Sequence, residues 1–343
     1  MISKISISNF GPIKEIKDFK LGKINLIIGR NGAGKTFLLK SIYVAQKCLE
    51  QYRRGKEPRT LNELLVDKLY WTFQSGDLGN LVNKDATKLE FLMTSTDKHK
   101  IQYSFGNSTK RTINRIESDF PAIDSNSIYF PAKEILSIQD IIIDSRSDKY
   151  NDYGFDDTYY DLANALKPTT KGRNIGTFAN IRKTLNTTLS GCIKFDPEKK
   201  EWYFLDNKNR KFVVGVLSEG VKKISILDAL FGNHYLSQNS IIFIDEPESA
   251  LHPELISQFM DIIYTLSQIG IQFVIASHSY FVIKKLTLIA QKHKLSIPVI
   301  SADKDEQSDD NYATWNVGNL KMGLPDNPII CESIKLYEEE IFL

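Results

Sequence analysis

The segment at residues 29–36, GRNGAGKT, has the glycine spacing of a loop that binds phosphate. Glycine lets backbone N–H groups converge on an anion where a side chain would block its approach. If a helix begins here, its positive dipole end faces the same phosphates. Lys35 would then reach the β- and γ-phosphates, and the Thr36 hydroxyl would bind Mg²⁺. The other predicted nucleotide-binding residues are Gly29, Asn31, Gly32, Ala33 and Gly34.

Two carboxylates follow an apolar run much later in the chain. Residues 241–244 (IIFI) have the composition of a buried strand, and Asp245 and Glu246 come directly after them. Ligands of open α/β folds bind at the carboxyl ends of such strands. We therefore predict that Asp245 holds Mg²⁺, directly or through water. Glu246 is predicted to orient and polarise the attacking water.

A second anion site is one interpretation of Ser218 and Gly220, which lie just before a helix predicted over 221–231. A hydroxyl, a glycine N–H and a helix N-terminus together attract negative charge. A serine in this position is also a common helix cap, so both interpretations stay open.

Two histidines are candidates for separate tasks. His278 ends an apolar run in the sequence ASHS, where it could contact the γ-phosphate as a sensor. A surface or core histidine is the alternative interpretation. His252 is interpreted as a cap before the helix predicted over 254–269.

The hydrophobic pattern predicts the elements that must position these residues. Residues 23–28 (KINLII) indicate a buried strand, and the residues after Thr36 carry apolar side chains at helical spacing. The strand, the glycine-rich turn and the helix thus follow in the order that a phosphate loop needs. Other predicted strands are an alternating strand at 2–8, an antiparallel pair formed by KLEFLM and KIQYSF, and SIYFPA at 127–132.

Composition narrows the class of protein. The chain has 343 residues, 42% hydrophobic and 25% charged, which is typical of globular proteins with a sizeable core. Lys and Arg number 44 against 42 Asp and Glu, but residues 1–60 hold 13 basic and 4 acidic residues. Such a region suits polyanions, nucleotides or nucleic acid among them, and a solvated face is the alternative. Residues 301–343 hold 3 basic and 10 acidic residues.

The cysteines and the apolar runs predict where the protein works. Three widely spaced cysteines without a C-x-x-C pair argue against a disulfide framework or a zinc site, and fit a reducing compartment. The N-terminus lacks the layout of a signal peptide, and no apolar run approaches the roughly 18–20 residues that span a bilayer. We expect a cytoplasmic protein without membrane contact.

The ordered motifs GRNGAGKT, LSEG, IIFIDEPESALHP and ASHS resemble the ATP-binding-cassette (ABC) ATPases. They are most similar to the soluble SMC/RecF/OLD-like branch, with the AAA_15 and AAA_21 families, through Asn31, the opening FGPI and the ALHP sequence. The implied fold class is α/β, an ABC-type P-loop NTPase head with a mixed sheet core and an inserted helical lobe. The implied core comprises 1–132 and 217–302, the lobe 133–216, and an acidic tail with a final helix 303–343.

The resemblance also implies roles for individual positions. Residues 29–36 would be the Walker A loop, 241–246 the Walker B strand, 217–220 the signature, 249–251 the D-loop, and His278 the switch histidine. Two copies would pair head to tail, so that Ser218 of one covers the γ-phosphate held by Lys35 of the other. ATP would then hold the pair together, as a dimer or a higher oligomer, and hydrolysis would release it.

The sequence departs from the family pattern at two motifs. The signature has LSEGV where cassette transporters have LSGGQ, so Glu219 replaces a glycine. No glutamine clearly matches the Q-loop: Gln139 is the nearest, but Lys133 and Glu134 stand closer to the strand at 127–132.

The C-terminal region is too short for the nuclease domain of one related group. OLD-type nucleases carry a TOPRIM domain, but only about 40 residues follow the strand predicted at 296–300. We therefore expect an ATPase without its own effector. An acidic run there is interpreted as a surface loop rather than a metal site; its members are Asp303, Asp305, Glu306, Asp309 and Asp310.

Three functions follow as hypotheses. The first is a switch that binds and hydrolyses Mg-ATP and controls a separately encoded nuclease or toxin, a task the branch performs in defence against phages and mobile elements. The second is a RecF-type ATPase that binds DNA for repair or clamp loading, motivated by the basic residues Lys23, Lys40, Arg53, Arg54, Lys56 and Arg59. A transporter subunit fits less well, because of LSEGV and the long segment 41–210.

The tyrosine-rich stretch at 150–160 is interpreted as a partner surface or a lobe core.

Overall fold

The computed structural model describes residues 1–146, 154–167, 176–199, 201–303, 312–325 and 327–342. Its strands are β1 (Ile2–Phe10), β2 (Ile13–Lys20), β3 (Ile24–Gly29), β4 (Lys88–Ser95), β5 (Lys100–Gly106), β6 (Arg115–Ser118), β7 (Ser127–Phe130), β8 (Gly191–Asp196), β9 (Glu201–Asp206), β10 (Lys211–Val213), β11 (Ile241–Asp245), β12 (Gln272–Ser277), β13 (Pro298–Asp303) and β14 (Thr314–Asn319). Its α-helices are α1 (Lys35–Gln51), α2 (Leu61–Phe73), α3 (Gln139–Asp144), α4 (Asp157–Ala165), α5 (Thr177–Leu189), α6 (Glu219–Gly232), α7 (Pro253–Gln268), α8 (Tyr280–Lys292) and α9 (Pro328–Ile341).

A six-stranded sheet with the order β14-β13-β3-β12-β11-β7 forms the centre of the molecule. Its strands are parallel except β14, which pairs antiparallel with β13 at one edge. Every residue of β3, β7, β11 and β12 is buried, as is expected of parallel strands covered on both faces. The apolar runs predicted as central strands are therefore confirmed.

Successive residues of these strands contribute to two different cores. Ile242 and Ile244 of β11 pack with α6, α7 and α8 on one face, whereas Ile241 and Phe243 pack with α1 and α2 on the other. Side chains alternate across a strand, so a continuous apolar run supplies both layers. The result is one sheet between two helical layers.

A second sheet, antiparallel and five-stranded, has the order β2-β1-β4-β5-β6. The predicted antiparallel pair is confirmed, because Lys88 of β4 lies opposite Gly106 of β5 and the register continues to Thr94 opposite Lys100. The buried face of this sheet packs on α1 and α2 as part of the same core. This sheet and the central sheet therefore enclose the helix that begins at the glycine-rich loop.

Three helices (α3, α4 and α5) and a three-stranded sheet of order β10-β9-β8 lie between β7 and α6. Helix α4 docks on α1 and α2 through buried polar contacts. Lys68 of α2 lies 2.9 Å from Asp157 and 2.8 Å from Asp161, and Tyr43 of α1 donates to Asp161 at 2.6 Å. The described tyrosines of the 150–160 stretch, Tyr159 and Tyr160, pack against the core, whereas Tyr150 and Tyr153 lie outside the described residues.

The C-terminal region contributes β14 to the central sheet, a strand that the sequence pattern did not predict. The final helix expected in this tail is α9, which begins at Pro328 after an Asn327 cap. In the acidic run, Asp303 ends β13, and the other four carboxylates lie outside the described residues. Division of the chain into core, lobe and tail at 132, 216 and 302 stays a prediction.

Across the described parts of the chain, no helix is long and apolar enough to cross a membrane.

Candidate functional site

The glycine-rich loop joins the end of β3 to the start of α1, in the predicted order of strand, turn and helix. Gly34 precedes the helix at φ +93°, a conformation that glycine adopts without strain. A Cβ at Gly29 would lie 2.5 Å from the carbonyl oxygen of Ala302 in β13. On the same side, Ala33 is buried against Ala302 and Ala313. Glycine is therefore needed both for the turn and for the close approach of two strands.

Lys35 is bent back over the loop that precedes it. Its Nζ donates to the carbonyl oxygen of Arg30 at 2.9 Å, and the residue is only 6% exposed. Burial lowers the pKa of the Lys35 ammonium, and the nearby carboxylates of Glu246 and Asp245 oppose that shift. The ammonium therefore contacts a backbone oxygen of the loop and lies near carboxylates at the start of α1.

Thr36 contacts Asp245 directly across the sheet. The Thr36 hydroxyl lies 3.1 Å from Oδ1 and 3.0 Å from Oδ2 of Asp245, although 209 positions separate the two residues. Strand β12 lies between β3 and β11, so the carboxyl ends of all three meet at one edge. Burial raises the pKa of the Asp245 carboxyl, and the hydrogen bond from Thr36 opposes that shift. A hydroxyl and a carboxylate in contact are the oxygen donors that Mg²⁺ takes in nucleotide sites.

Glu246 is held in an unusual backbone conformation next to His278. Its φ is +47°, which is rare for a residue with a side chain, and its N–H donates to the carbonyl oxygen of Ala276 at 2.8 Å. His278 Nδ1 lies 3.2 Å from Oε1 of Glu246. The structure thus brings together the carboxylate and the histidine that the sequence offered separately.

Glu248 fixes the backbone that carries His278. Its Oε1 accepts from the Ser277 hydroxyl at 2.8 Å and from the His278 N–H at 3.0 Å. The Glu248 side chain is 10% exposed, and its Oε2 is buried with no hydrogen-bond partner in the described parts of the chain. Sequence reasoning missed this residue, although a third carboxylate two positions after Glu246 was a visible signal.

Lys223 of α6 is a second functional candidate that the sequence analysis missed. Its Nζ donates to the Glu246 carbonyl oxygen at 2.6 Å and to the Ala132 carbonyl oxygen at 3.4 Å. Burial lowers the pKa of the ammonium to about 8, although the carboxylates of Glu248, Asp245 and Glu246 oppose the shift. A buried lysine thus ties the helix after the signature to the end of the Asp-Glu strand. Nothing in the spacing of LSEGVKK distinguishes it from a surface lysine.

A cleft of about 600 Å³ opens over the loop and the first turns of α1. Its walls include six of the predicted site residues, namely Asn31, Gly32, Gly34, Lys35, Thr36 and Glu246. The lining also contains Phe73 and Gln74 at the end of α2 and Asp156 before α4. This volume lies within the range of small-molecule sites.

Ser218 and Gly220 do not line this cleft. Ser218 caps α6, where its hydroxyl accepts from the Val221 N–H at 3.4 Å. Gly220 lies against the segment predicted as the D-loop, because a Cβ there would come within 2.6 Å of Leu251 and 3.0 Å of the Ala250 carbonyl oxygen. Within one chain the signature and the phosphate loop are therefore separate.

The remaining sequence candidates have structural partners. His252 caps α7, with Nδ1 accepting from the Glu254 N–H at 3.4 Å, as the sequence suggested. Gln139 is buried away from the cleft, where it donates to the Ala163 carbonyl oxygen and accepts from the Trp202 indole, each at 2.7 Å. Gln139 therefore does not line the cleft. The glutamine among the described cleft residues is Gln74, which follows α2 and not the strand at 127–130.

The fold is similar to that of two solved SMC heads. One is the SmcHead bound to the C-winged helix domain of ScpA, with 13% identity over 94% of this chain and 98% of that chain, at a TM-score of 0.54. The other is an Smc head domain with an extended coiled coil, bound to the C-terminal domain of ScpA and derived from Pyrococcus furiosus. It is 12% identical over 98% of each chain, with a TM-score of 0.51. The predicted fold class, an α/β head of the ABC-type P-loop ATPases, is confirmed.

The family comparison covers the whole of the site. No curated protein sequence matches the chain. The model of the AAA_21 family matches residues 24–284, from β3 to α8, and so includes the phosphate loop, the Asp-Glu strand and His278. The chain belongs to this family, whose description reads "AAA domain, putative AbiEii toxin, Type IV TA system".

Proposed function

We propose that the chain binds Mg-ATP in the cleft over α1 and hydrolyses it to ADP and phosphate. The single observation that carries this proposal is the contact of Thr36 with Asp245, next to the buried Lys35 ammonium. A hydroxyl and a carboxylate suit Mg²⁺, and the loop N–H groups with Lys35 suit the phosphates. Bound Mg²⁺ would neutralise charge on the phosphate oxygens.

Positioning and electrostatics would supply most of the catalysis. Glu246 is the group that would accept a proton from the attacking water or orient it, and His278 at 3.2 Å fixes the direction of its carboxylate. Lys35 would offset the negative charge that develops on the transferred phosphoryl group. The left-handed backbone of Glu246, held by Ala276 and Lys223, keeps that carboxylate at the strand end.

The proposal includes head-to-tail pairing of two chains. Ser218 and Gly220 lie outside the cleft of their own chain, so a second copy is needed to bring a signature to the γ-phosphate. Val213 and Val216, close before the signature, are exposed large apolar side chains of the kind that pairing buries. ATP would then hold two heads together and hydrolysis would separate them.

We further propose that this cycle controls a separately encoded effector, a nuclease or a toxin, in defence against phages or mobile elements. The support is the family description, which names a toxin and a type IV toxin–antitoxin system. The DNA-binding alternative gains no specific support. Of the six basic residues that prompted it, Lys40 pairs with Asp156, Arg54 with Asn126 and Asp124, and Arg59 with Glu57 and Asp67.

Two substitutions test binding and hydrolysis separately. Lys35→Ala should abolish binding of a fluorescent ATP analogue. Glu246→Gln should retain binding while turnover falls by roughly 10²–10⁴-fold, the usual contribution of a general base. Turnover of Glu246→Gln at the wild-type rate would contradict the assigned role of that carboxylate.

Light scattering on Glu246→Gln with Mg-ATP tests pairing. The mass should double with nucleotide, and Ser218→Arg introduced into that variant should keep it monomeric while nucleotide still binds. A mass that does not change with Mg-ATP refutes the pairing proposal.

Tagged Glu246→Gln, isolated from its native host with Mg-ATP, should carry a stoichiometric nuclease or toxin identifiable by mass spectrometry. Recovery of DNA in place of a protein partner would favour the RecF-type alternative.

A further inference from the structure

Lys40 lies at the nucleotide cleft and belongs to none of the sequence motifs. It is four positions after Thr36 on α1, so the two residues share one face of the helix. Helical side chains lean toward the N-terminus, and a lysine stem is long enough to span one turn of about 5.4 Å. Lys40 accordingly lines the cleft, together with Thr36 and Glu246.

The contact of Lys40 is an ion pair with a residue from the segment between β7 and α6. Lys40 Nζ lies 2.6 Å from Oδ2 of Asp156, and the two side chains are 19% and 13% exposed. The other oxygen of Asp156 accepts from the Thr158 N–H at 2.8 Å and so caps α4. Asp156 therefore holds the lysine in place and begins helix α4 at the same time.

The lining of the cleft puts this pair beside the proposed metal and phosphate position. Lys40 and Asp156 line the same cleft as Lys35, Thr36 and Glu246. The Thr36 hydroxyl in turn contacts the carboxylate of Asp245. The ion pair and the proposed Mg²⁺ ligand Thr36 therefore border one volume, although Asp156 comes from a distant part of the chain.

An ammonium has three donors, and across the described residues Lys40 uses one of them, for Asp156. The others are free to meet an oxygen entering the cleft. We propose that Lys40 is an additional recognition residue for the terminal phosphate of the nucleotide, and that Asp156 is the positioning residue that aims it. This inference rests on the proposed function and extends it, because it makes a residue outside the motifs distinguish a triphosphate from a diphosphate.

The consequence concerns how α4 is connected to the site. Asp156 joins α4 to Lys40, and Asp157 and Asp161 join the same helix to Lys68 and Tyr43. A phosphate bound by Lys40 would compete with Asp156 for the Lys40 ammonium. Binding of the terminal phosphate would therefore change contacts first at the start of α4. This helix is thus the part of the segment between β7 and α6 that responds to nucleotide state.

The test compares ATP and ADP affinities of the full chain by calorimetry with Mg²⁺, in Lys40→Met and Lys40→Arg. Loss of a charge-assisted hydrogen bond is expected to weaken ATP binding by about tenfold or more, while ADP affinity stays within about twofold. Lys40→Arg, which keeps the charge, should recover most of the preference. Lys285→Met removes a comparable pair with Asp261, remote from the cleft, and should change neither affinity.

Asp156→Asn separates positioning from docking. If Asp156 aims Lys40, this variant weakens ATP more than ADP, and adding it to Lys40→Met causes no further loss in the ATP-to-ADP ratio. If the pair only docks α4, each substitution lowers the melting temperature and leaves that ratio unchanged, which overturns the inference. Wild-type protein that binds neither nucleotide would instead refute the proposed function. Wild-type binding that Lys35→Ala abolishes, with an unchanged ratio in Lys40→Met, refutes only the role of Lys40.

Discussion

Replacement of Lys223 by methionine should impair hydrolysis far more than folding or nucleotide binding. Met has nearly the length of the lysine stem but cannot donate to the carbonyl oxygens of Glu246 and Ala132, which lie 2.6 and 3.4 Å from Nζ. In the described parts of the chain, the Lys223 ammonium makes its hydrogen bonds to Glu246 and Ala132 and none to the loop residues that are proposed to hold phosphate. The substitution therefore acts on the backbone of Glu246, the carboxylate proposed to be catalytic, and not on the nucleotide.

The expected magnitude follows from two opposing terms. A hydrogen bond from a charged donor contributes about 1.5–3 kcal/mol. Burial lowers the pKa of this ammonium from 10.5 to about 8, so keeping it charged costs about 3 kcal/mol. These terms nearly cancel in the free energy of unfolding, as is common when a buried charge is replaced by an apolar side chain. For orientation of Glu246 no such cancellation exists, so a loss of about 1.5–3 kcal/mol predicts a fall in kcat of roughly 10- to 100-fold.

The assay measures kcat at saturating Mg-ATP and the Kd of a fluorescent ATP analogue, with urea unfolding on the same samples. Lys285→Met is the control, because its ammonium pairs with Asp261 at 2.7 Å, outside the cleft and outside the segment proposed as the signature. Its kcat should remain near the wild-type value. A kcat for Lys223→Met within about twofold of wild type, with the protein folded, would refute the reasoning.

The pH dependence of stability provides a second check on the same lysine. Its pKa is about 8 in the folded chain and 10.5 in the unfolded chain, so between these values the unfolded state binds more protons. Stability due to Lys223 therefore increases as pH rises from 8 to 10.5. Wild type should gain about 1 kcal/mol per pH unit relative to Lys223→Met over that range. A difference that is flat with pH would show that the ammonium is not buried.

Two further predictions concern the loop and the docking of α4. Gly34→Ala forces a residue with a side chain into φ +93° and brings its Cβ within 3.2 Å of Pro12. Calorimetry should show weaker nucleotide binding. Urea unfolding should show that the free energy of unfolding falls by about 1–2 kcal/mol. Gly55 lies at φ +60° with open space around it, so Gly55→Ala should lower the free energy of unfolding without weakening nucleotide binding. Equal losses of binding in Gly34→Ala and Gly55→Ala would contradict a local role of the loop. Lys68→Met removes the lysine shared by two buried carboxylates, Asp157 and Asp161, and leaves them only Arg146 and Tyr43 among the described residues, so it should lower the free energy of unfolding by about 3 kcal/mol. The exposed pair tested by Lys88→Met should be worth at most about 1 kcal/mol, and similar losses for the two lysines would refute the distinction.

The motifs that the sequence analysis found share a local origin. Strand β3, the turn and helix α1 follow one another directly in the chain. The glycine spacing of the loop reflects the backbone conformation that a turn of eight residues needs. Asp245 and Glu246 were predictable at a strand end because an apolar run marks the strand and the first polar residues mark its end. Parallel strands bring their carboxyl ends to one edge, so the meeting of Thr36 with Asp245 also followed from the pattern.

Other features depend on chain segments that meet only in the folded protein. Strand β14 has alternating polar residues and little apolar signal, and pairing with β13 gives it its structure. The Q-loop residue could not be found by position, since Gln139 is drawn into contacts with Ala163 and Trp202. No periodicity connects such partners, so propensity gives no information about them.

The sequence by itself determined the fold class, through the order of its motifs along the chain. It also determined the glycine-rich turn and the two strand-end carboxylates, because each of these is set by residues adjacent in the chain. Only the tertiary structure decided that Lys223 holds Glu246, that Glu248 holds the backbone of His278, and that Asp156 holds Lys40. Lys40 and Asp156 are 116 positions apart. The physical reason is burial: a lysine or a carboxylate in a sequence looks like a surface residue, and its role appears only when packing removes water and leaves a particular partner within hydrogen-bond distance.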